Sequence, residues 1–134
     1  MRSAALVVLA ACSRGPTCDD LYGVWRSESG ERWMILDDRK TLEAYPLFDD
    51  LRGPTEIAPR VIDLERTKAG LAGTQHRRYM RAADSCDDRA PVHVTACAGD
   101  TLDIVLADSV APLSYAPCSW PARAPSRRER WHRE

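Results

Sequence analysis

The chain is poor in what helical, membrane-spanning and nucleic-acid-binding proteins require. Between Cys18 and Glu134 no apolar pattern at helical spacing persists for three turns, so a helical bundle is excluded. No apolar run approaches the roughly 20 residues that a helix needs to cross a bilayer. Charge of one sign is also missing. The 19 Lys and Arg nearly balance the 20 Asp and Glu, for a formal net charge of −1, so no long-range field invites nucleic acid or anionic lipid. The motifs of the common catalytic machines are absent: there is no G-x-S-x-G, H-E-x-x-H, phosphate-binding loop or dinucleotide fingerprint. The expectation is a non-catalytic protein with no cofactor and no nucleic-acid partner.

What the chain does have begins at its first residues. Met1-Arg2 supplies a positive start, Ala4-Ala5-Leu6-Val7-Val8-Leu9 is a short apolar run, and small residues lead to Cys12. Leu9-Ala10-Ala11-Cys12 resembles the lipobox of bacterial lipoproteins. The resemblance implies a diacylglycerol thioether on Cys12, cleavage before it and acylation of the new N-terminus. At about 0.8 kcal/mol per buried methylene, two or three chains anchor stably where one binds reversibly. The expected organisation is a signal peptide over 1–11, a tether over 12–20 and one domain over 21–134. Ser13 after the cysteine, by resemblance to sorted lipoproteins, implies an outer-membrane protein facing the periplasm.

Five cysteines become four once Cys12 carries lipid: Cys18, Cys86, Cys97 and Cys118. An even set in an oxidising compartment predicts two disulfides, and the absence of C-x-x-C pairs argues against zinc.

Short alternating runs between Gly, Pro and Asp punctuation predict an all-β domain. Eight strands are expected: Tyr22–Glu28, Arg32–Leu36, Thr41–Leu47, Arg60–Arg66, Leu71–Arg81, Pro91–Cys97, Thr101–Ala107 and Arg127–Arg133. Ser29-Gly30, Asp37-Asp38, Lys68-Ala69-Gly70 and Gly99-Asp100 have the chemistry of tight turns. Asp49–Pro59, Ala82–Ala90 and Asp108–Ser126 read as long loops. In an up-and-down barrel those three loops fall at one end, the mouth, where a ligand or partner would meet the protein. The same parity sets Cys18 and Cys97 at the tight-turn end and Cys86 and Cys118 at the mouth, which predicts bridges 18–97 and 86–118. Ile62 and Leu64; Val92, Val94 and Ala96; Leu102, Ile104 and Leu106; and Leu42 and Ala44 should face inward. On the second strand Trp33-Met34-Ile35-Leu36 is apolar on both faces, which leaves its register open.

His76 and His93 fall on neighbouring strands. A hairpin centred near Cys86 would pair them with about Ala96 and about Tyr79, too far apart to share a metal. Strand five alternates polar residues on both faces, and His76, Arg78 and Tyr79 are the candidate ligand contacts if the lumen is polar.

Gly23-Val24-Trp25 matches the Gly-x-Trp signature of the lipocalin and wider calycin barrels. In those barrels the first-strand Trp packs across the base against an Arg of the last strand. The resemblance thus implies a lipocalin-like barrel closed by Gly23 and Trp25 with Arg128 or Arg130, and a small molecule or lipid in its interior. Gly99-Asp100 stands where the family's Thr-Asp-Tyr motif would be. Similar signals and small barrels occur in periplasmic protease inhibitors and lysozyme inhibitors, so an envelope inhibitor or protein-interaction module using the long loops is the alternative.

Overall fold

The computed structural model describes residues 18–47, 60–107, 110–122 and 125–134. Leu9-Ala10-Ala11-Cys12 and the expected loop Asp49–Pro59 lie outside them. The strands are β1 (Gly23–Ser27), β2 (Arg32–Asp37), β3 (Thr41–Leu47), β4 (Val61–Thr67), β5 (Gly70–Arg81), β6 (Asp84–Ala98), β7 (Thr101–Ala107), β8 (Ser114–Tyr115), β9 (Cys118–Ser119) and β10 (Ser126–Arg133). Eight of them close into an antiparallel barrel in the order β1-β10-β7-β6-β5-β4-β3-β2, while β8 and β9 pair as a small separate ribbon. This is the all-β, up-and-down, lipocalin-like arrangement. Each strand hydrogen-bonds its sequence neighbour, and β10 returns to β1 through Trp25↔Arg133, Arg26↔His132 and Ser27↔Trp131.

Alternation decides the inner face. Leu42 and Ala44, Ile62 and Leu64, Val92 and Val94, and Leu102, Ile104 and Leu106 are buried together around Trp25, Trp33 and Trp131. The open register of β2 resolves with Trp33 and Ile35 inward. Met34 faces out, paired in register with Val24 and Tyr45.

Ala96 departs from the expected alternation. Val94 pairs with Ile104, but Ala96 pairs with Asp103, so one extra residue of β6 is accommodated at a bulge. The bulge reverses the parity, and Cys97, three residues from Val94, pairs with the inward Leu102. Cys97 thereby packs against the core and is bonded to Cys18 with a Cα–Cα distance of 5.6 Å.

The largest correction concerns Ala82–Ala90. It is not a long loop: β5 turns at Ala82 and Ala83 and runs straight into β6, with pairs from Arg81↔Asp84 down to Ala72↔His93. Ala82 takes the left-handed turn conformation (φ 55°) with no Gly or Asn to announce it. The hairpin centre moves accordingly, and His76 pairs with Arg89 while His93 pairs with Ala72. Opposite charges face each other along this ribbon, as Arg77↔Asp88, Arg78↔Asp87 and Arg81↔Asp84. Of the expected mouth loops, Ala82–Ala90 is therefore a projecting hairpin.

The tight-turn end is sealed. Asp37, with its side chain 1% exposed, receives Arg66 Nη2 at 2.6 Å and the Leu21 backbone N–H at 2.8 Å. Arg66 Nε donates to the Cys18 carbonyl at 3.0 Å. Burial opposes ionisation of Asp37 most strongly. The hydrogen bonds from Arg66 and from the Leu21 and Arg39 backbones outweigh it and hold the carboxyl below its ordinary value of 3.8. A depressed folded pKa contributes stability that is present above the unfolded value and lost as pH falls through the folded one. Acid titration should therefore lower the unfolding free energy below about pH 4, and Asp37→Asn should remove its share of that dependence, leaving the share of Asp38, Asp87, Asp103 and Glu134, which are also held below their ordinary values. The same variant should lose about 3 kcal/mol at neutral pH in urea unfolding, because Arg66 loses its charged partner.

Gly73 is a second constraint. A Cβ there would stand 1.8 Å from the Asp63 carbonyl oxygen, so β4 and β5 approach each other as only glycine permits. Gly73→Ala should cost about 2–3 kcal/mol in the same assay, since backbone must move.

Candidate functional site at the barrel mouth

The two ends differ in chemistry. At the base, Trp25 is fully buried and donates its Nε1–H to the Leu21 carbonyl at 2.8 Å. The cation over its ring belongs to Arg133, 4.6 Å from the centroid, and not to Arg128 or Arg130. Closure brings the inner-face series Glu129, Trp131 and Arg133 inward, so Arg128 and Arg130 project outward. Arg130 instead pairs with Asp103 on β7 at 2.7 and 3.1 Å. Arg133 also donates to the carbonyls of Tyr22 and Asp20, each at 2.8 Å. Gly23, at φ +135°, crosses beside it, where a Cβ would lie 3.8 Å from Arg133 Nη1. This end is occupied by side chains.

At the mouth, the three candidates on β5 separate by parity. Tyr79 faces inward and is buried, whereas His76 and Arg78 lie on the outer face around Asp87. Arg78 Nε donates to Asp87 Oδ1 at 2.9 Å, with His76 Nε2 at 3.8 Å. The Arg78 hydrogen bond is the main reason that the Asp87 carboxyl is held below its ordinary value. His76, Arg78 and Tyr79 therefore do not form one contact surface.

The inner face of β5 instead carries Gln75, Arg77 and Tyr79, all buried. Gln75 and Arg77 are the residues that sequence reasoning missed. Counting by twos from Leu71 reaches both, but the apolar-inward rule hides them. Arg77 is 8% exposed, donates from Nη1 to the Tyr79 hydroxyl at 3.2 Å, and lies 5.8 Å from that ring centroid. Burial first, and then the positive field of Arg60, lower its pKa. A guanidinium nonetheless stays charged at any physiological pH.

Arg60 precedes β4, and continuing the register beyond Val61↔His76 sets it beside Arg77. It is held by two 3.0 Å contacts to the Glu31 carboxylate and lies 5.1 Å above the Trp33 ring. Trp33 in turn stacks on Trp131, with centroids 4.9 Å apart and planes inclined by 22°. These two indoles floor the mouth. Toward the β10 wall stands Glu129, also buried, with Ser29 Oγ at 3.3 Å and Arg127 Nη2 at 3.4 Å.

Among the described residues, several buried polar atoms here have no hydrogen-bond partner: Nε1 of Trp33, Nε1 of Trp131, Nε of Arg77 and Oε1 of Gln75. An unmade hydrogen bond at a buried group costs about 1–3 kcal/mol, so four on one inner surface are unusual for a purely structural core.

The rim is stapled. Cys86 on β6 is bonded to Cys118 on β9, Cα–Cα 5.8 Å, which ties the small β8–β9 ribbon to the projecting hairpin. Arg81 caps the Tyr115 ring at 5.9 Å. Met80 and Leu113, 51% and 71% exposed, place apolar surface on this rim.

Comparison with protein-family profiles, with curated proteins and with solved structures finds no match to this chain. Among the described residues, no three His, Cys, Asp or Glu side chains gather as a metal site.

Replacing Cys86 and Cys118 together by Ala should loosen the rim selectively. Amide exchange should rise in residues 84–90 and 113–119 and stay slow in β2 and β7, with about 2–4 kcal/mol lost in global unfolding.

Proposed function

We propose that the protein is a lipid-anchored, non-catalytic barrel of the cell envelope that takes a small molecule or lipid at its mouth. Cys12 carries the anchor in this reading, and the domain faces the periplasm from the outer membrane. The observation that supports it best is the set of unpartnered buried polar atoms on β5, β2 and β10 above a tryptophan floor. An eight-stranded barrel is just wide enough to be filled by side chains or to hold one small ligand. With Trp25 and its neighbours filling the base, a ligand would lie toward the mouth, beside Arg77 and Tyr79. The two disulfides suit an oxidising compartment, in keeping with export.

A second reading is favoured by Met80 and Leu113. Apolar side chains on a disulfide-stapled rim suit contact with an envelope protein, as an inhibitor or assembly module would make.

Two measurements test the proposal. Labelling with radioactive palmitate should mark the protein, and Cys12→Ala should abolish the label. Native mass spectrometry of protein extracted from membranes should show a retained small molecule. Ligand-free protein that co-purifies with a defined envelope protein through Met80 and Leu113 would favour the second reading.

A further inference from the structure

We propose that the mouth recognises an oxyanion, a carboxylate or a phosphate, with Arg77 as the residue that meets its charge. The inference rests on reading the mouth as a small-molecule site and names the chemistry of what enters it. Arg77 is a cation buried on the inner wall, and a buried charge is tolerated only when paired. Among the described residues, the nearby carboxylates are otherwise placed. Glu31 is engaged twice by Arg60, and Glu129 stands toward β10 with Ser29 and Arg127. Asp88 lies opposite Arg77 in the ladder and attracts it without forming an ion pair. Among the described residues, Arg77 donates to a neutral phenol and its Nε–H is unpartnered.

The neighbouring unpartnered atoms favour the same class of ligand. Both indole N–H groups can only donate, and the Gln75 amide can rotate to donate as well. The surface is thus rich in donors and calls for an acceptor-rich group. Arg60, just before β4, and Arg77 on β5 lie side by side and repel a cationic ligand. Charge-assisted hydrogen bonds from a guanidinium are about twice as strong as neutral ones, so the oxyanion should dominate selectivity.

The test uses the full-length protein in detergent and follows tryptophan fluorescence during titration with four probes: octanoate, octyl phosphate, octanamide and octyltrimethylammonium. Both anions should bind at least tenfold more tightly than octanamide, and the ammonium should not compete. The tighter of the two anions identifies a carboxylate or a phosphate as the natural group. Arg77→Gln should weaken both anions at least tenfold and leave octanamide unchanged, while Arg78→Gln, on the outer face, should alter neither. If Arg77→Gln loses its near-ultraviolet circular dichroism, the anion-to-amide ratio of the unaltered protein still decides. Equal affinity for anions and amide, or anion affinity untouched in a folded Arg77→Gln protein, overturns the oxyanion and leaves a neutral small-molecule site standing. No response to any probe, from protein that also carries no small molecule out of the membrane, removes the site itself.

Discussion

The barrel depends on the seam where β10 meets β1. Only three residue pairs make that ladder, Trp25↔Arg133, Arg26↔His132 and Ser27↔Trp131, yet without it the sheet has two open edges and no enclosed core. Side chains compensate for its brevity. Arg133 lies over the Trp25 ring and binds two carbonyls of the segment leading into β1. On the outer face the Glu134 carboxylate bridges Arg26 and Arg32 at 2.8 Å each, joining the seam to β2. Closure brings Trp131 against Trp33, so the tryptophan floor of the mouth exists only because the ring is complete.

Much of this was legible in the sequence, because the code for strands is local and binary. The inward sets on β3, β4 and β7 follow from alternation alone, and the links at Asp37-Asp38 and Gly99-Asp100 follow from turn chemistry. Both disulfides follow from counting which end of a meander each cysteine reaches. Three features escaped. The Ala82-Ala83 turn carries no conventional turn residue, although Arg77, Arg78 and Arg81 mirrored by Asp88, Asp87 and Asp84 were a readable pairing signal. The arginine over Trp25 could not be chosen among Arg128, Arg130 and Arg133 without the register of closure. Gln75 and Arg77 were overlooked because inward-facing polar residues contradict the rule used to find inward faces.

The interior is consequently divided. Toward the base, Trp25, Leu21, Leu42, Leu64 and Leu102 fill the space, and Asp37 with Arg66 closes it. Toward the mouth, the same alternation delivers Gln75, Arg77 and Tyr79 to the inner wall, where apolar residues would have completed the core. Natural sequences break local consistency most often at functional sites. Here the break is confined to one end, beside the stapled rim.

The bulge in β6 also constrains how this chain can change over generations. One surplus residue between Val94 and Ala96 sets the phase that turns Cys97 toward Cys18. Losing Thr95 would only regularise the ladder, with Ala96 still opposite Asp103 and Cys97 still opposite the inward Leu102, whereas one more residue between Ala96 and Cys97 would carry the thiol out of phase. Descendants of this protein should therefore tolerate the loss of a residue in that segment far more readily than the gain of one.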